Sequence, residues 1–195
     1  SGVPVATYAT DVPTSLRCGY VGIDNHGAGL TAAYLMDQWL GATPSDVLIT
    51  VSRTAFRGEG EREVGFRSGL RASGRGVVEV TDSDGIDATT ERLVFDALQR
   101  HPSVHAVYSP GGGNTATLAA FEKLGRVCNV FIAHDLDADN RRLLRDGRIS
   151  VVLHNDLRAD ARTAVRLILQ QHGALPAEPA RPTPIQIVTP YNAPA

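Results

Sequence analysis

Apolar and polar positions follow two different periods along most of this chain. Short runs rich in β-branched residues indicate strands, and segments with apolar positions every three or four residues indicate amphipathic helices between them. The predicted strands cover 3–8, 20–23, 46–52, 76–82, 104–109, 128–135, 149–155 and 185–190. The predicted helices cover 28–40, 59–74, 87–100, 115–124, 138–145 and 157–171.

This alternation determines the expected fold class. Strands separated by helices of this length form a parallel sheet with right-handed crossovers, so we expect an α/β fold. The first two helices are predicted from apolar positions at helical spacing. These positions are Leu30, Ala33, Tyr34, Met36, Leu40, Val64, Phe66 and Leu70.

Composition narrows the range of functions. The 195 residues are 43% hydrophobic and 21% charged, as in globular proteins, and a net charge of -2 gives no basic field for nucleic acid. Cys18 and Cys128 lack metal-ligand spacing and fit reduced thiols of a cytoplasmic protein. No apolar run reaches the roughly 20 residues of a membrane span. Because Ser1 opens almost directly onto a strand, we expect a piece of a longer chain.

Polar residues follow the predicted strands where α/β sheets bind ligands, just beyond the carboxyl ends. They are Asp24, Asn25, Arg53, Arg57, Arg62, Asp82, Asp84, Gly113, Asn114, Asp135, His154 and Asn155. A hydroxyl group both donates and accepts, so this mixture of donors and acceptors suits a polyol better than a phosphate. Such residues also cap helices, and each one alone is as consistent with capping.

The glycine-rich stretch YSPGGGNTATLAAFEKLG, at 108–125, leads from a strand into a helix. It lacks the G-x-x-x-x-G-K-[ST] pattern of a phosphate loop. It does match G-x-G-x-x-A at Gly111, Gly113 and Ala116, with Asp135 after the next strand, as in a dinucleotide fingerprint. A nucleotide-dependent oxidoreductase is therefore the rival interpretation, although the motif lies late among the βα units and no Tyr-x-x-x-Lys is present.

No catalytic, metal or cofactor site is predicted. The G-x-S-x-G elbow is missing, and neither cysteine has a histidine beside it in the sequence. The chain is expected to bind a small molecule rather than to act as an enzyme.

Taken in order, the motifs resemble the LacI-type transcription regulators, in the subgroup whose effector domain is related to type I periplasmic sugar-binding proteins. They are YVGIDNHGAGLTAAYLMDQWLG, RGEGEREVGFRSGLR, the glycine-rich stretch above, and VFIAHDLDADNRRLLRDGRISVVLHNDLRADARTAVRLIL. The resemblance implies a type I periplasmic-binding-protein-like fold. It assigns 1–24 and 153–175 to a partial N-terminal subdomain, and 26–150 and 178–195 to a nearly complete C-terminal subdomain, with a sugar in the cleft between them.

The resemblance also implies site residues. Arg62 corresponds to the family arginine that forks onto two ring hydroxyls, Asp135 to a strand-end acceptor, and His154 to the usual glutamine of the late crossing. Glycines replace the usual Asn-Asp pair, which favours backbone N–H groups of 112–114 over a side-chain contact.

In this glycine turn, the predicted ligand-binding residues are Gly113 and Asn114. Phe56 or Tyr108 would offer an apolar wall to a sugar ring. For Phe56, packing on its own helix is an equally good interpretation.

By resemblance, the parent protein is a cytoplasmic, homodimeric regulator. Its helix-turn-helix headpiece, absent here, binds operator DNA, and a monosaccharide effector shifts the conformational population. An extracytoplasmic sugar-binding protein of the same fold is the alternative. Because the resemblance assigns only part of one subdomain to this chain, we also expect an open strand edge and self-association.

Overall fold

The computed structural model describes residues 2–53, 56–81, 83–84, 86–179 and 181–194. The strands are β1 (Ala6–Tyr8), β2 (Gly19–Val21), β3 (Asp46–Thr50), β4 (Val77–Val80), β5 (Val104–Ser109), β6 (Val130–His134), β7 (Val151–His154) and β8 (Gln186–Val188). The helices are α1 (Asn25–Leu40), α2 (Arg57–Leu70), α3 (Asp87–Arg100), α4 (Asn114–Lys123), α5 (Ala138–Arg145) and α6 (Leu157–Gln171). A 3-10 turn, Arg71–Ser73, follows α2.

The α/β class is confirmed. One sheet has the order β4-β3-β5-β6-β7-β8, and a second sheet contains β1 and β2. The β1–β2 pair and the four pairs from β4 to β7 are all parallel. The chain divides into a smaller unit, Ser1–Asp24 with Asn155–Gln186, and a larger unit, Asn25–His154 with Ile187–Ala195. Assigning these units to family subdomains remains a prediction.

The larger unit owes its core to strands that are apolar on both faces. Every residue of β6 is buried, as are most of those in β3 and β5, which is the pattern of a parallel sheet covered by helices on both sides. Phe121, Phe131 and Leu144 fill the space between sheet and helices. This layering fixes the positions of the strand ends, where the candidate site lies.

Helices α1 and α2 approach so closely that two glycines are required. A Cβ added at Gly29 would lie 2.0 Å from the carbonyl oxygen of Arg62, and one at Gly65 would lie 2.2 Å from that of His26. Among the apolar positions of α1, Leu30 and Tyr34 are exposed, whereas Ala33, Met36 and Leu40 are buried.

The apolar positions of α2 also differ in burial. Val64 is 59% exposed, whereas Phe66 and Leu70 are buried. Helical spacing marked the apolar residues correctly, but the close contact with α1 selected which of them face inward.

The smaller unit contains little more than β1, β2 and α6. The helix runs antiparallel to the strands: the Tyr8 hydroxyl donates to the carbonyl of Leu157 at the start of α6, whereas Leu167 packs over Gly19 at the start of β2. An apolar groove of about 450 Å³ lies between β1 and α6, and Val5 and Val165 in it are exposed. In the described ranges, no helix is both long and apolar enough to cross a bilayer.

Candidate ligand-binding site

The carboxyl ends of β3, β5, β6 and β7 meet at one edge of the larger sheet, because these strands are parallel. The start of α2 is tied to this edge by Glu59, whose carboxylate accepts hydrogen bonds from the Ser52 backbone N–H (2.7 Å) and hydroxyl (2.6 Å). Helix α2 therefore begins beside the end of β3. Arg62, one turn further along α2, is brought to the strand ends.

Arg62 is held by two hydrogen bonds before any ligand arrives. Its Nε donates to Asn25 Oδ1 (2.9 Å) and its Nη1 to the carbonyl of Pro110 (3.3 Å). A guanidinium carries five N–H groups, so these bonds orient the side chain and leave donors over. Asn25 belongs to the strand-end set recognised in the sequence, but its role as the partner of Arg62 was not predicted.

Arg62 and Asp135 are brought together as the sequence predicted for a common site. The Arg62 Nη1 lies 4.0 Å from Asp135 Oδ2, and the two side chains are 9% and 59% exposed. An ion pair at this distance with one partner in solvent is weak. Both groups can therefore exchange this contact for hydrogen bonds to a bound hydroxyl.

The glycine turn opens the backbone beside this pair. Gly112 and Gly113 have φ angles of 85° and 71°, a left-handed conformation that side chains disfavour, and a Cβ at Gly112 would meet no atom within 4 Å. Helix α4 begins at the next residue, Asn114, and the backbone N–H groups of a helix N-terminus favour anionic or hydroxyl acceptors.

The side chain of Asn114 faces inward. It is 6% exposed, its Nδ2 donates to Asn140 Oδ1 (2.6 Å), and its Oδ1 is buried with no hydrogen-bond partner among the described residues. The side-chain amide of Asn114 is therefore taken up inside the protein, and contact of its backbone N–H with a ligand remains a prediction.

His154 ends β7 and is half-buried. Its Nδ1 accepts a hydrogen bond from the backbone N–H of Leu136 (3.2 Å), so in the neutral ring Nε2 carries the proton. The bond fixes the ring against the loop that follows Asp135. Phe56 is exposed at the N-cap position of α2, which keeps it as a candidate wall.

Tyr108 cannot be that wall in this structure, so this part of the prediction is wrong. The residue is fully buried, its ring stacks on Phe66 with centroids 4.4 Å apart, and its hydroxyl is 2.9 Å from His134 Nε2. Burial, with a smaller contribution from the nearby charge of Arg62, lowers the pKa of His134 well below its usual value. Burial also raises the pKa of Tyr108, so a neutral pair lies in the core behind Arg62.

The other strand-end candidates take different roles. Arg53 Nε pairs with Asp84 Oδ1 at 2.6 Å with both side chains about half exposed, and Arg57 pairs with Glu61 along α2. Asp82 lies outside the described residues. Asp24 and Asn155 belong to the smaller unit, where Asn155 is buried.

Asn140 is the site residue that the sequence analysis missed. It contacts the residues around both Asn114 and Asp135, yet it lies inside a helix rather than at a strand end. A signal was present, because Asn140 is on the same face of α5 as the buried Leu143 and Leu144. A polar residue on an apolar helix face needs hydrogen-bond partners.

A family model described as the periplasmic binding protein domain matches residues 1–174. The chain belongs to this family. No curated protein matches the sequence.

Solved structures of this fold cover nearly the whole chain. GanP, a glucose-galactose binding protein from Geobacillus stearothermophilus, superposes with a TM-score of 0.88 at 22% identity over 98% of this chain and 69% of its own. AraP, an arabinose binding protein from the same organism, gives 0.83 at 21% identity over 98% and 69%. An ABC transporter solute-binding protein from Burkholderia graminis in complex with D-arabinose gives 0.83 at 26% identity over 96% and 67%.

Proposed function

We propose that this chain binds a monosaccharide, or a derivative of one, at the strand-end edge of its larger unit. The observation that carries the proposal is the 4.0 Å approach of Arg62 and Asp135 beside a glycine turn with open space at Gly112. A donor and an acceptor side by side match a hydroxyl group, which needs both. The sugars bound by the similar proteins support this ligand class.

The proposed roles follow from the contacts. Arg62, already oriented by Asn25, donates to one or two ring hydroxyls, and Asp135 accepts from a hydroxyl that it shares with Arg62. The backbone N–H groups of Gly113 and Asn114 approach a further sugar oxygen. His154 and Phe56 are the proposed flanking polar and apolar contacts. The role is binding and release without catalysis.

A calorimetric titration with D-glucose, D-galactose, D-arabinose and D-fructose tests this proposal, with NAD⁺ as the rival ligand. We expect one sugar to bind, and binding to be lost in Arg62→Met and weakened at least about tenfold in Asp135→Asn. Asn is chosen because it tolerates the left-handed backbone of Asp135, where Ala would add strain. Arg53→Met, which removes an exposed arginine paired with Asp84, is the matched control and should bind normally.

Binding of NAD⁺ with no response to any sugar would replace the proposal with the dinucleotide interpretation of the glycine turn. Equal loss of sugar binding in the Arg53 and Arg62 variants would move the site away from the Arg62–Asp135 pair.

The class of the parent protein is a finer proposal. The order of motifs supports the effector-binding portion of a cytoplasmic, homodimeric LacI-type regulator that binds operator DNA through a headpiece. The similar sugar-binding proteins support an extracytoplasmic receptor about as well. Fractionating cells that express the full gene separates the two: a cytoplasmic protein with sugar-dependent DNA binding supports the regulator, and an exported protein supports the receptor.

A further inference from the structure

The side chain of Asn140 makes three hydrogen bonds to described residues, and these join two loops of the larger unit. Its Nδ2 donates to the carbonyls of His134 (2.9 Å) and Asp135 (2.7 Å), and its Oδ1 accepts from Asn114 Nδ2 (2.6 Å). Its backbone N–H donates to Asp137 Oδ1 (2.7 Å), the N-cap of α5. The residue is only 3% exposed, so water cannot readily replace these bonds.

The first loop needs this support because Asp135 is in an unfavourable conformation. Its φ of 64° is left-handed, which costs a residue with a side chain unless the surroundings hold it there. Asn140 binds the carbonyl on each side of the Asp135 Cα, and the Asp135 N–H donates to the carbonyl of Leu153 (3.0 Å). These bonds together direct the Asp135 carboxylate to the sheet edge near Arg62.

The second loop is the glycine turn, whose carbonyls also accept hydrogen bonds from the side chains of Ser109, Thr117 and Arg62. Gly112 and Gly113 are both left-handed, and a Cβ at Gly112 would meet nothing. Asn114 is the first residue after them, and its bond to Asn140 fixes the direction in which α4 starts. The same side chain thus holds the acceptor and the backbone donors of the candidate site.

We infer that Asn140 is a positioning residue that couples Asp135 to the glycine turn, so that one buried amide links the two sets of sugar contacts. The inference rests on the proposed function where it concerns sugar binding. The coupling between the loops is a property of the ligand-free protein.

The first test therefore uses no ligand. Backbone amide hydrogen exchange is measured by NMR for wild type, Asn140→Ala and Leu144→Val, a packing change on the same helix. We expect exchange in Asn140→Ala to be about tenfold faster both at Thr117, whose N–H donates to the carbonyl of Gly113, and at Asp135, whose N–H donates to the carbonyl of Leu153. In Leu144→Val, exchange in the two loops should rise no more than exchange in the rest of the larger unit. Faster exchange in one loop only, or in neither, would overturn the coupling.

The variant Asn140→Asp distinguishes the role of the accepting amide oxygen from that of the donating amide nitrogen. A carboxylate still accepts from Asn114 Nδ2 but cannot donate to the carbonyls of His134 and Asp135. We expect this variant to speed exchange at Asp135 and to leave exchange at Thr117 as it is in the wild type. The opposite pattern, or loss of both, would contradict the assignment of donors and acceptor.

The second test uses the sugar that gives the strongest calorimetric signal. We expect Asn140→Ala to weaken its binding about tenfold, and the combination with Asp135→Asn to weaken it by less than the product of the two single effects. Fully multiplicative effects would overturn the claim that Asn140 acts through Asp135. If no sugar binds while exchange rises in both loops, the proposed function fails and the coupling stands.

Discussion

The two units of this chain follow the same α/β plan with very different amounts of buried surface. In the larger unit a six-stranded sheet is covered by helices, and its central strands are buried on both faces. In the smaller unit three-residue strands lie under one helix, and Val5, Leu16 and Val165 remain exposed. A sheet of two short strands has too little area to enclose apolar side chains. The same alternation of strands and helices therefore removes less apolar surface from solvent.

Buried polar atoms without a hydrogen-bond partner among the described residues occur in both units. In the larger unit Arg62 and Asn140 are hydrogen-bonded, but Asn114 Oδ1 and His134 Nδ1 have no such partner. In the smaller unit Asp160 is fully buried, and neither carboxylate oxygen has a hydrogen-bond partner among the described residues. A buried carboxylate in this state costs more than a neutral amide or imidazole atom and destabilises the fold around it.

The largest difference between the units is expected when one leucine in each is truncated to alanine. Leu144→Ala, in the core of the larger unit, should lower the free energy of unfolding by about 2–5 kcal/mol, because it leaves a cavity. Leu169→Ala, on the exposed face of α6, should cost less than about 1 kcal/mol. Urea unfolding followed by fluorescence of Trp39 in α1 reports on the larger unit, and hydrogen exchange reports on the smaller. Equal losses would show that the groove beside Leu169 is part of a core.

A smaller effect is expected from the glycines that set helix spacing. Gly65→Ala places a Cβ against the backbone of α1, which cannot move aside easily, and should cost about 1–3 kcal/mol. Gly60→Ala on the same helix has open space and should stabilise by up to about 1 kcal/mol. In the smaller unit, the Cβ of Gly19→Ala meets only the end of the Leu167 side chain. Its effect on the free energy of unfolding should lie between those of Gly65→Ala and Gly60→Ala. Thermal unfolding of the three variants orders them, and a neutral Gly65→Ala would refute the close contact.

His134 should make the larger unit sensitive to acid. Its folded pKa lies below the unfolded value, so the unfolded state binds the proton first. Stability is therefore complete above about pH 6.5 and falls as the pH drops below it, by at most about 1.4 kcal/mol per pH unit, until the folded pKa is reached. His134→Gln should flatten this slope relative to the wild type. The two slopes come from urea unfolding between pH 7 and pH 4.

The smallest effect has the opposite sign. Asp160→Ala removes an unpaired buried carboxylate and should stabilise by about 1 kcal/mol, after subtracting the loss of an acid from the first turn of α6. Asp139→Ala removes an exposed acid from the first turn of α5 and should cost a few tenths of a kcal/mol. A destabilising Asp160→Ala, seen in thermal unfolding, would mean that this carboxylate has a donor.

Much of the candidate site was predictable because parallel strands bring their carboxyl ends together. Asp135 and the glycine turn were identified from their places after strands, Arg62 was identified near one strand end and by the family resemblance, and the structure brings all three to one edge. The inward direction of Tyr108 was not predictable, since an apolar strand has two faces and only the layers above and below decide what each meets. Asn140 was missed because its partners are 5, 6 and 26 residues away in sequence.

The sequence by itself determined the α/β class, the order of strands and helices, and the residues that follow each strand, because these depend on local periodicity. The tertiary structure decided which apolar residues of α1 and α2 face inward, because two glycines let the helices approach until only small side chains fit. It also decided that a buried amide joins the two loops of the site, because hydrogen bonds between distant segments depend on how the helices pack on the sheet.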